Sequence, residues 1–142
     1  MRVSELAKKL EITADTVRYY TRIGYLHPHS EPTNNYRDYG SREERCLRFI
    51  LSARRLGFSV EDIGQLLHHS DQGHSPCPVA RDLILRRLSE TERRFKEMQE
   101  LRERMIAAVA NWSEKPDREP SGEMICHLIE DWSDTESIDS QE

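Results

Sequence analysis

The side chains of this 142-residue chain with the most pointed chemistry are its three cysteines and a group of arginines and tyrosines near the start. Cys77 stands immediately before Pro78, and Cys126 is followed directly by His127. Thiolate and imidazole are soft or borderline ligands that suit Zn²⁺, Cd²⁺, Hg²⁺ or Pb²⁺, zinc being the favoured expectation. An odd cysteine count without a secretory context argues against a disulfide framework and leaves thiols for metal or redox chemistry. Cys46 falls within a helical stretch and is expected to be a small core residue instead.

The second chemical group is Thr16, Arg18, Tyr19, Tyr20 and Arg22, followed by Tyr36, Arg37, Asp38 and Tyr39. Arginine grips phosphate or guanine through a forked donor set, and tyrosine hydroxyls donate to phosphate oxygens. Such a cluster suits a nucleic-acid backbone, although one of Tyr19 and Tyr20 could equally fill the core beneath its helix. The elements around it fit that purpose. Val3, Leu6, Ala7 and Leu10 mark a short amphipathic helix, and Thr13 caps a second that carries Val17, Tyr20 and Ile23 and stops at Gly24. Two short helices joined by a tight turn are the size of a helix-turn-helix, whose second helix enters the major groove. His27 to Tyr39 contains two prolines and two asparagines and is expected to form a small β-ribbon, a wing.

Ser41-Arg42-Glu43-Glu44 and Ser59-Val60-Glu61-Asp62 are capping-box patterns. They predict a third helix to about Leu56 and a fourth through Ile63, Leu66 and Leu67, giving a DNA-binding unit over residues 1–69. A polar linker over 70–77 follows. From Pro78 to Trp112 no glycine or further proline occurs, and Ile84, Leu88, Thr91, Phe95, Met98, Leu101, Met105, Val109 and Trp112 recur by threes and fours. A helix of about 35 residues is about 50 Å long and cannot bury such a stripe against so small a unit, so a second copy is the expected partner. Antiparallel pairing would place Cys77 of one chain beside the Cys126 region of the other, linking a metal ion to the placement of the two heads. Residues 113–130 are then an effector loop, with His127 the nearest third ligand and His68, His69 or His74 further candidates. The acidic stretch over 131–142 is expected to be a disordered tail.

The net charge of −5 is unevenly distributed. Residues 1–69 hold 11 Lys/Arg against 9 Asp/Glu, and residues 70–142 hold 10 against 17, so the acidity belongs to the second half. No glycine-rich phosphate loop, nucleophile elbow or metalloprotease motif occurs, and an enzyme is not expected. The start Met1-Arg2-Val3-Ser4 lacks a signal-like apolar core, and no apolar run approaches the roughly 20 residues of a membrane span. A cytoplasmic protein without a membrane partner is the expectation.

The succession Val3-Ser4-Glu5-Leu6-Ala7, Thr16-Val17-Arg18-Tyr19-Tyr20, Ile23-Gly24-Tyr25-Leu26, Asn35-Tyr36-Arg37-Asp38-Tyr39 and Leu56-Gly57-Phe58-Ser59-Val60-Glu61-Asp62-Ile63 closely resembles the MerR family. The resemblance implies a mainly α protein: a winged helix-turn-helix followed by a long antiparallel coiled-coil dimerisation helix. It implies a homodimer on promoter DNA that distorts an overlong spacer so that RNA polymerase can engage both promoter elements. A cysteine opening the long helix and another in the loop after it, as Cys77 and Cys126 stand here, is similar to the family's sensors of divalent ions. Two departures are Thr21, where many members carry Glu, and Asn111-Trp112, near which a further cysteine often stands. A regulator answering redox state or an organic molecule is the alternative.

Overall fold

The computed structural model describes residues 1–30, 32–34 and 36–132. It forms two compact units, Met1–Glu90 and Thr91–Glu142. The elements are α1 (Val3–Lys9), α2 (Ala14–Arg22), β1 (His29–Ser30), β2 (Arg37–Asp38), α3 (Ser41–Arg55), α4 (Val60–Asp71) and α5 (Cys77–Trp112). Among the described residues no helix is long and apolar enough to cross a membrane.

Helix stops in the first unit share one chemistry. At the ends of α2, α3 and α4 a glycine takes positive φ (Gly24, Gly57 and Gly73). The next amide returns to a carbonyl five residues back: Tyr25 to Tyr20 at 2.9 Å, Phe58 to Ala53 at 3.1 Å, His74 to His69 at 2.9 Å. This is the Schellman closure, which satisfies the orphan carbonyls of the last turn. α1 ends the same way, with Ile12 N–H donating to Ala7 O at 2.9 Å, yet the left-handed position is held by Glu11 at φ 58°. The turn of the helix-turn-helix thus carries a strained non-glycine residue.

α4 runs to Asp71, past the Leu67 expected from its apolar residues, because the stop is Gly73 and the intervening His68–Asp71 turn tolerates solvent. The connection to α5 is therefore residues 72–76. The cap of α3 is Gly40 rather than Ser41: Gly40 N–H donates to Glu43 Oε2 at 3.0 Å. The cap of α4 is the expected one, with Ser59 N–H on Asp62 Oδ2 and Asp62 N–H on Ser59 Oγ, each 3.0 Å.

The core of the first unit joins Leu6 and Ala7 of α1, Val17 and Tyr20 of α2, Leu47, Ile50 and Ala53 of α3, Ile63 and Leu66 of α4, and Leu83 of α5, with Leu26, Tyr39 and Phe58 between them. The wing is a two-stranded antiparallel ribbon pairing His29 with Asp38 and Ser30 with Arg37. Met1 lies beside it: Tyr39 N–H donates to Met1 O at 2.7 Å, and the Met1 amino group donates to Tyr39 O and Asp38 Oδ1. In the second unit a helical turn over 127–132 follows the loop after α5. The tail expectation falls on residues 133–142, outside the described residues; Asp131 and Trp132 belong to that helical turn.

Candidate nucleic-acid interface and metal-sensing residues

α2 presents Asp15, Arg18, Tyr19 and Arg22 at helical spacing, all exposed, while Val17 and Tyr20 of the same helix are buried. Thr13 caps the helix, accepting from Thr16 N–H at 3.2 Å, and the two threonine hydroxyls lie 2.8 Å apart, so Thr16 sits at the helix entry. Arg18 Nη1 reaches Asp15 Oδ1 at 3.0 Å. That pair is exposed on both sides and is worth little in water, so a phosphate can displace the aspartate. The Arg22 guanidinium lies 5.7 Å from the Tyr19 ring centroid, holding both side chains against one outward face.

The wing contributes Arg37 on β2 and the exposed ring of Tyr36. The Arg2 guanidinium stacks over that ring at 4.0 Å, adding a cation that no local pattern in the sequence marks. Two expected contact residues are corrected here. Tyr20 is 6% exposed and Tyr39 is 0% exposed, so neither side chain belongs to the DNA-facing surface. Tyr20 takes the apolar side of an amphipathic helix. Tyr39 packs inward because its hydroxyl has a partner there: it lies 2.7 Å from Thr21 Oγ1, which itself donates to Val17 O at 2.9 Å. Thr21 thereby ties the base of the wing to the recognition helix. Cys46 packs against the core, and its thiol donates to Tyr25 O at 3.4 Å; burial pushes its pKa up, away from reactive thiolate chemistry.

Cys77 is the first residue of α5 and exposed, its N–H donating to Ser75 Oγ at 3.3 Å. In the second unit Cys126 is half-buried, and its N–H together with that of Ile125 donates to Glu130 Oε2, at 2.7 and 2.9 Å. His127 is buried, its Nε2 2.9 Å from Pro116 O. A carbonyl only accepts, so Nε2 carries the proton and Nδ1 is the nitrogen left for another partner; it faces Asp131 Oδ2 at 4.0 Å. Glu130 and Asp131, which residue type alone did not single out, thus shape the surroundings of Cys126 and His127. Among the described residues no three His, Cys, Asp or Glu side chains gather as a metal site. The donor chemistry of Cys77, Cys126 and His127 suits a soft ion.

A capped helix-turn-helix, a ribbon wing and an outward Arg-Tyr face define a DNA-binding regulator. Residues 1–70 match the model of the MerR HTH family regulatory proteins, and residues 45–108 match that of the MerR DNA-binding region. The HTH-type transcriptional regulator HmrR of Rhizobium leguminosarum bv. viciae is 32% identical over 137 residues, 94% of this chain and 98% of that protein. The heavy metal-dependent transcription regulator 2 of Rhizobium meliloti (strain 1021) is 31% identical, over 92% of this chain and 85% of its own. The crystal structure of the transcription regulator PbrR691 from Ralstonia metallidurans CH34 in complex with lead(II) shares the fold, with TM-score 0.74 and 24% identity over 92% of this chain and 98% of that one. The chain belongs to the MerR family of transcription regulators, which are DNA-binding proteins and not enzymes.

Proposed function

We propose that this protein is a metal-responsive activator that binds promoter DNA as a homodimer. The observation that carries the reading is the unpartnered seam of α5: Leu88, Phe95, Met98, Met105 and Val109 are each more than half exposed in the single chain. A contiguous apolar stripe of this kind is covered in solution, and its spacing suits a second α5. Residues 1–69 form the DNA-binding head and residues 78–112 the dimerisation helix. With the two helices antiparallel, the start of one lies beside the end of the other. Cys77 of one subunit then meets Cys126 and His127 Nδ1 of its mate.

Bound there, a soft divalent ion such as zinc, cadmium, mercury or lead would supply a bridge between thiolates of two chains. The role of the protein's own residues is to convert that bridge into head placement. Glu130 holds the Cys126 backbone, and the Pro116 carbonyl holds His127 through Nε2, which turns Nδ1 toward Asp131 and away from that carbonyl. Thr16, Arg18, Tyr19, Arg22, Tyr36 and Arg37 hold the DNA backbone and base edges while the heads shift. Bending or untwisting the spacer costs on the order of 1–6 kcal/mol, which the difference in metal affinity between two head placements can supply. RNA polymerase then engages both promoter elements. The names of the heavy metal-dependent relative and the lead(II) complex support the class of effector. Equilibrium zinc binding to the reduced protein tests the reading: wild type binds two ions per dimer, and Cys77→Ser binds none with comparable affinity. Unchanged binding by Cys77→Ser removes this cysteine from the site.

A further inference from the structure

The first turn of α4 receives two side chains from opposite directions in sequence. From α5, Arg87 grips Asp62 with two parallel bonds, Nε to Oδ2 at 2.6 Å and Nη2 to Oδ1 at 3.0 Å. Asp62 is 3% exposed and is also the residue that closes the α4 capping box with Ser59. From the end of α2, the Tyr25 hydroxyl donates to Val60 O at 2.7 Å. Its ring lies over Gly64, where a Cβ would collide with the phenol oxygen. That ring also stacks on Tyr20 of α2, centroids 6.3 Å apart and planes 18° from parallel.

We propose that this turn of α4 is the joint through which α5 sets the placement of the recognition helix α2, with Arg87 and Tyr25 as its two positioning residues. The bidentate guanidinium–carboxylate pair fixes direction as well as distance. Asp62 cannot move without moving the α4 N-terminus that it caps. The Tyr25 phenol follows Val60 of that same turn, and Tyr20 follows Tyr25 through stacked rings. Neither Arg87 nor Tyr25 belongs to the outward DNA face or to the cysteine region. The role in head placement rests on the reading that paired α5 helices join two heads, whereas the mechanical coupling within one chain does not.

Hydrogen exchange and operator spacing separate the two. Arg87→Gln, a change on α5, is expected to speed exchange of the α2 amides Val17 to Arg22 by about tenfold relative to the α3 amides Leu47 to Ala53. Tyr25→Phe gives the same pattern, and Arg87→Lys a smaller one. Equal acceleration of α2 and α3, or none in α2, overturns the joint. In operator binding, both variants are expected to narrow by at least about fivefold the preference for the native half-site spacing over a site lengthened by one base pair, and the double variant adds nothing further. Unaltered or additive spacing preference overturns the role in head placement. A monomer in sedimentation rejects the dimer reading alone and leaves exchange to decide the joint. If Arg87→Gln fails to fold, Tyr25→Phe, which loses a single hydroxyl, carries the same comparison.

Discussion

Tyr39 separates a core role from a DNA-contact role. Its side chain is 0% exposed, and among the described residues its hydroxyl lies 2.7 Å from Thr21 Oγ1, which in turn donates to Val17 O. Tyr39→Phe keeps the ring, opens no cavity and removes one buried hydrogen bond. A bond of that kind contributes about 0.5–1.5 kcal/mol net. The Thr21 hydroxyl keeps its carbonyl acceptor, so the loss should fall near the middle of that range. For a unit the size of Met1–Glu90, about 1 kcal/mol corresponds to a fall in Tm of about 4–8 °C. Tyr39→Ala also leaves a ring-sized cavity and should cost about 3–5 kcal/mol. The assay pairs thermal unfolding with operator affinity, using the exposed Tyr36→Phe as the contrast. Tyr39→Phe should lower Tm and leave affinity within about twofold, since every 1.4 kcal/mol of binding is tenfold, whereas Tyr36→Phe should leave Tm unchanged. A Tyr39→Phe protein of unaltered Tm that binds operator ten times more weakly would refute the placement of this residue in the core.

Four further outcomes follow from particular contacts. The Arg87 guanidinium beside Asp62 holds its carboxyl below the usual aspartate value. The stabilisation is therefore full above an unfolded pKa of about 3.9 and is lost as pH falls through the lower folded value. Urea midpoints measured from pH 6 to pH 2 should show a decline on the acid side that is shallower in Asp62→Asn. Glu11 holds a left-handed backbone that costs about 1–2 kcal/mol for a side-chain-bearing residue, against roughly 0.5–1 kcal/mol of added chain entropy for glycine, so Glu11→Gly should raise stability slightly in chemical denaturation. Arg18→Ala and Arg37→Ala should each weaken operator binding and reduce the slope of log affinity against log salt by about one. Glu130→Ala, which frees the Cys126 and Ile125 amides, should weaken zinc binding about 10–100-fold by competition with a chelator, the range seen when partners of metal ligands are removed.

The outward face of α2 was legible because helical spacing sorts Arg18, Tyr19 and Arg22 from Val17 without tertiary information. Tyr20 was open between core and surface on the same reasoning, and the three-dimensional packing decided it. Tyr39 was not legible: a ribbon of two residues per strand has no alternation to reveal which aromatic turns inward, and its partner Thr21 lies 18 residues away. The stops at Gly24 and Gly57 could be read from residue type, but Glu11 shows that the same closure forms where no glycine marks it. The linker reading began too early because polar Ser70 and Asp71 resemble a linker, although a solvent-facing last turn of α4 has the same composition. Arg87 and Asp62 are 25 residues apart, and one ion pair among many charged residues carries no local signal. For the cysteine region, residue type pointed to Cys126 and His127, whereas the backbone hold of Glu130 depends on how the loop folds back.

The central claim, a metal site shared between two chains, is tested most directly by complementation between two defective subunits. Cys77→Ser and Cys126→Ser homodimers should each fail to bind zinc with wild-type affinity, since every site would lack one thiolate. A heterodimer of the two variants would combine Cys77 of one chain with Cys126 of the other at one site and have neither thiolate at the second. The account predicts one high-affinity zinc ion per heterodimer, half the wild-type number. No recovered site in a heterodimer shown by mass to contain both variants would contradict it, and so would full zinc binding by either homodimer.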